Sequence, residues 1–122
     1  MSYSKYGNYK VTYDGRKFDS KKECERYIQL RALQRQGYIS ELECQKKYVL
    51  LPAQRGPDRI NAKGKPLKGK LLFREFAYYA DFVYKDQMGC VVVEDVKGFK
   101  TPIYNLKKAM MYYFHKILIK EV

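Results

Sequence analysis

Apolar positions fall into two periods along the chain, and the change between them predicts its elements. Cys24, Tyr27, Leu30 and Leu33 recur at three-residue steps with Ile28 beside them, as on one face of a helix. The run FDSKKECERYIQLRALQRQG also carries the helix ends. Ser20 suits the N-cap, Glu23 stands three residues on as a capping-box partner, and Gly37 is a natural stop. In ISELECQKKYVLL the period is two. Leu42, Cys44, Tyr48 and Leu50 share strand parity, and Pro52 ends the run. LLFREFAYYADFVY predicts a long aromatic strand, which the turn DQMG at 86–89 carries into CVVVEDVKG as an antiparallel hairpin. Thr101 and Pro102 suit the cap and first turn of a second helix, its body running from Ile103 to about Phe114. KILIKEV reads as a short last strand. Ahead of these, VTYDGRKF alternates about Asp14-Gly15, a two-residue hairpin turn. The order after this N-terminal arm is α-β-β-β-α-β. That is an α/β (α+β) domain with a mixed central sheet flanked by helices.

Length and composition narrow the class. The 122 residues suit one domain, 1–122, with a basic, tyrosine-rich arm at 1–19. Apolar residues make up 46% of the chain, too many for a disordered protein. No apolar run approaches the ~20 residues of a membrane span, and MSYSKYGNYK lacks the apolar core of a secretory signal. The expected location is the cytoplasm, with no membrane partner. Lys and Arg outnumber Asp and Glu by 25 to 13, a net charge of +12. So basic a small domain points to a polyanion, and nucleic acid is the simplest. The stretch 55–70, RGPDRINAKGKPLKGK, has no apolar periodicity and sets six basic residues against Asp58 alone, a net +5. It reads as a mobile basic loop, and Lys63, Lys65, Lys68 and Lys70 are candidate DNA contacts.

Cys24, Cys44 and Cys90 are spaced neither as a disulfide framework nor as a zinc site, and read as buried reduced thiols. A single histidine, His115, excludes a multi-histidine metal site and reads as a packing residue. Any metal here must take oxygen ligands, which favours Mg²⁺ or Mn²⁺.

The end of the VVVEDVKG strand then needs explanation, because charges are costly in a buried strand. Asp95 and Lys97 share a face with Val93, whereas Glu94 faces the other way with Val92 and Val96. The 86–89 hairpin brings Asp81 and Asp95 to adjacent strands. Two carboxylates there repel each other unless a cation lies between them. A divalent ion relieves the repulsion, and Lys97 can then orient a water or stabilise charge on a phosphate. The competing reading makes Asp95 and Lys97 a surface ion pair and Asp81 an exposed strand-end acid.

YYADFVY followed by VVVEDVKG resembles the bipartite motif of the PD-(D/E)XK nuclease superfamily. Asp81 matches the first acid, with Ala80 in place of the usual proline, and Asp95-Val96-Lys97 matches (D/E)XK. Glu94 competes with Asp95 by one register; parity with Lys97 favours Asp95, and a bulge would reverse the choice. Ser20-Lys21-Lys22-Glu23 fits the superfamily's S-x-x-E helix pattern. YDGRKFDSKKECERY, ADFVY and VEDVKGFKTPIY together are similar to a family of small phage-type nucleases. The likeness covers about Tyr13 to Tyr113.

The resemblance implies an αβββαβ core and a deoxyribonuclease that hydrolyses phosphodiester bonds. Asp81, Asp95, Lys97 and Glu23 would be catalytic, with Asp81, Asp95 and Glu23 on Mg²⁺ or Mn²⁺. Glu23 stays open between helix cap and ligand. The resemblance further implies phage DNA recombination or processing in a bacterial host's cytoplasm, on branched DNA such as Holliday junctions, and a homodimer. Tyr104, Lys107 and Lys108, at helical spacing after the motif, would touch DNA; the plainer reading is a solvated basic face. A different class also fits the charge: a non-catalytic nucleic-acid-binding module using the same basic loop and tyrosines. Acids beside a phosphate groove argue against it, because they repel DNA.

Overall fold

Two helices lie on opposite faces of a four-stranded sheet, and each closes its own apolar cluster. The computed structural model describes residues 2–3, 9–96 and 100–122. The elements are β1 (Tyr9–Tyr13), β2 (Arg16–Phe18), α1 (Lys21–Arg35), β3 (Ser40–Leu51), β4 (Phe76–Lys85), β5 (Val91–Asp95), α2 (Pro102–His115) and β6 (Lys120–Glu121). From α1 onward the core order is the predicted α-β-β-β-α-β. The sheet runs β6-β5-β4-β3, antiparallel except for the parallel β5–β6 edge, so it is mixed. Among the described residues no helix is long and apolar enough to cross a membrane.

Local chemistry accounts for the element ends. Asp14 and Gly15 both take positive φ, as a two-residue hairpin turn requires, and join β1 to β2. The Ser20 side chain accepts the Glu23 backbone N–H and starts α1, and Thr101 does the same for Tyr104 at the start of α2. Between β4 and β5, the Asp86 carboxylate accepts the N–H groups of Met88 and Cys90, and Gly89 takes the left-handed turn position.

On the α1 side, Cys24, Tyr27 and Leu30 pack with Phe18, Ile39, Phe82 and Tyr84. On the α2 side, Tyr104 and Met111 pack with Leu50, Tyr78, Ala80, Val83, Val93 and Ile119. Simple alternation fails in the middle of the sheet. Leu42 and Cys44 pack on the α1 side, whereas Tyr48 and Leu50 of the same strand pack on the α2 side. On β4, Tyr78 and Phe82 are divided in the same way. Both strands turn over at one place, where Gln45 has φ +53° opposite Asp81.

Three expectations are corrected. Residues 55–70 form an ordered antiparallel ribbon: Gln54–Arg55 pairs with Leu71–Phe73 and Arg59–Ile60 with Pro66–Leu67. Leu71–Phe73 therefore belongs to this arm, and the long aromatic strand begins only at Phe76. Cys90, in the hairpin turn, is exposed; Cys24 is buried and Cys44 half-buried, and all three thiols are free.

Candidate active site

Carboxylates meet at the turnover point because three elements end or bend there. Glu23 comes from the first turn of α1, Asp81 from the middle of β4 and Asp95 from the last position of β5. Val93 pairs with Val83 and Glu94 with Phe82. The same register continued by one residue sets Asp95 opposite Asp81. The Val96 backbone N–H donates to Asp81 Oδ2 at 2.8 Å, which fixes that carboxylate across the strand ends.

Gln45 completes the arrangement from β3. Its Nε2 lies 3.1 Å from Asp81 Oδ1 and 3.4 Å from Glu23 Oε1, so one amide serves two acids. Sequence reasoning missed this residue. Its only signal would have been the turnover, which leaves in this strand a single trace, Lys46 at the apolar parity. Arg16, Leu42, Cys44 and Lys46 line a shallow groove beside it.

Asp95 is 1% exposed and accepts the Tyr78 hydroxyl at 2.5 Å. Burial and this bond push the Tyr78 phenol up, so it stays a proton donor throughout the physiological range. Glu23 is also buried, and its pKa is pushed up to about 7. Desolvation is the main cause, followed by the charges of Asp81 and Asp19; Gln45 opposes them and Asp95 adds a little. A buried acid raised beside other carboxylates is a candidate functional group.

Glu94 stands apart from this group. It points to the α1 side and is fully buried. Arg26 Nε and Nη2 donate to its two oxygens, each at 2.7 Å, and the Tyr84 hydroxyl donates as well. Burial pushes the Glu94 carboxyl up, but the Arg26 fork and the Tyr84 hydroxyl outweigh it and hold the group below the usual carboxylate range. This is a satisfied structural ion pair, which leaves Asp95 as the acid turned toward Asp81. Arg26 lies one helical step from Glu23, on the same side of α1.

The other candidates are placed differently. Lys97 lies outside the described residues. Tyr104 is buried, not an exposed phosphate contact, and its hydroxyl donates to Glu121 at 2.9 Å. Lys108 and Lys100 reach the same carboxylate at 3.0 and 3.1 Å. Lys108 first, then Tyr104 and Lys100, hold Glu121 down to about 2. Lys107 lies over the Phe76 ring, 5.2 Å from its centroid. Lys63, Lys65, Lys68 and Lys70 are exposed on the arm. His115 donates to or accepts from nothing in the acid cluster; its Nε2 lies 2.9 Å from the Val49 carbonyl oxygen.

The donor set of Glu23, Asp81 and Asp95 is all oxygen, and burial, with the Asp81 and Asp19 charges adding to it, raises Glu23. Both properties fit a hard divalent ion such as Mg²⁺ or Mn²⁺. Among the described residues no three His, Cys, Asp or Glu side chains already stand at ion-cage spacing. In this arrangement Gln45, the Val96 N–H and Tyr78 supply hydrogen bonds to the acids.

The fold and site define a basic α+β domain with an acidic cluster at the ends of its central strands. The chain belongs to the family described as "Protein of unknown function (DUF1064)", whose model matches residues 3–120. No curated protein and no solved structure matches it.

Proposed function

We propose that the protein is a divalent-metal-dependent DNA endonuclease of the PD-(D/E)XK type. One observation carries the reading. Glu23 and Asp81, from two separate elements, share the Gln45 amide, and the β4–β5 register sets Asp95 of a third element opposite Asp81, in a chain of net charge +12. A pure DNA binder gains nothing from acids gathered in this way, since they repel phosphate.

Asp81, Asp95 and Glu23 would hold Mg²⁺ or Mn²⁺. The bound ion supplies charge neutralisation at the scissile phosphate and an acidified water. The chain's own groups do the rest. The Tyr78 hydroxyl and the Val96 N–H hold Asp95 and Asp81 in place. Rigid placement matters because small errors in geometry cost large factors in rate. Holding the ion requires Glu23 ionised, so loss of its proton would accompany binding. Lys97, two residues beyond Asp95, is assigned to the attacking water or the charged phosphate. Basic groups hold the DNA backbone without reading sequence. Branched DNA such as a Holliday junction is the proposed substrate, in phage-type recombination. A homodimer accompanies that reading, and the exposed Ile103, Leu106 and Tyr113 on α2 supply an apolar surface for it.

The test is incubation with linear, nicked, flapped and four-way DNA in Mg²⁺, Mn²⁺ or chelator, beside Asp81→Asn. Ion-dependent cleavage lost in the variant is the expected result. Binding without cleavage under every ion would overturn the nuclease reading in favour of a nucleic-acid-binding module.

A further inference from the structure

The arm from Gln54 to Phe73 has order without a core. Of its residues only Gly69 is buried, with Gly56 and Asn61 half-buried. Its shape is set by local polar bonds. Asn61 Oδ1 accepts the N–H groups of Lys63 and Lys65 and closes the tip, where Gly64 takes φ +81°. Asp58 Oδ1 accepts the Gly69 N–H at 2.8 Å, and Arg55 donates to the Gly69 carbonyl. At the waist the two backbones come together: a Cβ on Gly69 would lie 1.8 Å from the Gly56 carbonyl oxygen. Only glycine fits at that position. A ribbon this short, without a packed face, is marginal alone, so its order points to a surface prepared for something outside the domain.

Two features identify the occupant. Residues 55–70 carry a net charge of +5, which repels a second copy of the same arm and attracts a polyanion. At the tip, Ile60 pairs with Pro66, and Ile60 is 75% exposed. Arg59, Lys63, Lys65 and Lys68, all exposed, each lie within three residues of this apolar pair along the chain. Isoleucine and proline are among the side chains that wedge between base steps from the minor groove while basic neighbours hold the phosphates. From residue 54 to 60 the ribbon reaches roughly 20 Å, enough to follow a groove across several base pairs.

We propose that the arm enters the minor groove of duplex DNA, with Arg59, Lys63, Lys65 and Lys68 on phosphates and the Ile60–Pro66 pair wedged into a base step that it kinks. The inference rests on the reading of DNA as the ligand, and it does not require cleavage.

The experiment uses the full chain in chelator, on a duplex labelled at both ends for energy transfer, over a series of salt concentrations. Wild type is expected to bind and to shorten the end-to-end distance. Ile60→Ser combined with Pro66→Ala should abolish the shortening while leaving the salt slope unchanged. Replacing Arg59, Lys63, Lys65 and Lys68 with Gln should weaken binding and lower the slope of log K against log salt by about 3.6. Melting curves of each variant confirm that the domain is folded. A wedge variant that bends DNA like wild type overturns the proposal, as does a charge variant with an unchanged slope. A change of oligomeric state in the wedge variant, with bending intact, overturns it in favour of a protein contact. The chelator keeps any cleavage out of this measurement. Bending without cleavage by wild type under any ion therefore removes the nuclease reading and leaves the arm's role standing.

Discussion

Gln45 reaches Asp81 from the point at which both of their strands turn over, its Nε2 3.1 Å from Oδ1. The left-handed backbone of Gln45, φ +53°, costs roughly 1–2 kcal/mol for a residue with a Cβ. A hydrogen bond to an ionised group returns about as much. The strained residue and the acid therefore form one unit. Gln45→Gly keeps the backbone angle without the Cβ cost and removes the amide. Its melting temperature in chelator should stay close to wild type. Glu23 and Asp81 then lose their shared donor, so Mn²⁺ should raise the melting temperature more in the variant than in wild type. Equal shifts would mean that the amide and a cation do not compete for these acids.

The Arg26–Glu94 pair separates structure from chemistry. Removing one partner of a buried ion pair strands the other, at a cost of about 3–5 kcal/mol. Arg26→Ala should fall in that range by denaturant melts, and Arg26→Lys should recover only part, because one ammonium cannot reproduce the two-pronged contact. The Glu94 carboxyl is held low in the folded state. Its contribution to stability is therefore present above the unfolded pKa and is lost as pH falls through the folded one. In Glu94→Gln that acid-side dependence should weaken. Cleavage per folded molecule should survive in Glu94→Gln; a complete loss in a folded variant would make Glu94 the second-motif acid after all.

Much of this was legible in the chain. Ser20, Thr101 and Asp14-Gly15 act locally, so their cap and turn chemistry can be read without tertiary knowledge. The distinction between Glu94 and Asp95 followed from strand parity, which holds in β5 because its register against β4 is regular. The turnover at Gln45 and Asp81 was hidden, because it depends on two strands inverting together, and Lys46 at the apolar parity of β3 is too slight a break to show it. The arm was hidden for the opposite reason. Its order comes from single side-chain bonds by Asn61 and Asp58 and from a Gly56–Gly69 contact, none of which leaves a hydrophobic period. Tyr104 looked like a surface residue at helical spacing. Its ring packs into the α2-side cluster, and Glu121, seventeen residues away on β6, takes its hydroxyl.

Glu23 should show a distinctive pH response. Its folded pKa, about 7, lies above its ordinary value of 4.5. The folded state therefore binds the proton more tightly than the unfolded chain does. The stability this group provides is fully present below pH ~4.5 and declines as pH rises towards 7. Glu23→Gln removes the titration and can keep the capping bond. The variant should gain in melting temperature over wild type between about pH 5 and 7.5. Mn²⁺ binding to wild type near pH 6.5 should release protons, seen as a buffer-dependent heat, and the variant should release fewer. A flat difference between the two melting profiles would place Glu23 at an ordinary pKa. Equal proton release would remove it from the ion site and leave it as a helix cap.

Asp95 ends a buried strand, and its neighbours explain how a charge is tolerated there. It is 1% exposed, accepts the Tyr78 hydroxyl and lies on the α2 side of the sheet. Asp95→Asn keeps an oxygen for that hydroxyl to donate to, so the fold should hold. It also removes one of the charges that raise Glu23. The expected outcome is loss of cleavage and of the Mn²⁺-induced rise in melting temperature, with DNA binding kept or strengthened because a repulsive charge has gone. Tyr78→Phe tests the positioning role separately. It leaves all three acids in place but removes the hydroxyl bond to Asp95, so Mn²⁺ should still bind while the cleavage rate falls. Lys97→Ala should retain the metal and lose the rate. The three variants are compared by Mn²⁺ titration followed as thermal shift, by DNA binding in chelator, and by single-turnover cleavage of four-way DNA. If Asp95→Asn cleaves as fast as wild type, the carboxylate cluster is not the source of any cleavage by this protein, and the acids at the strand ends must be structural.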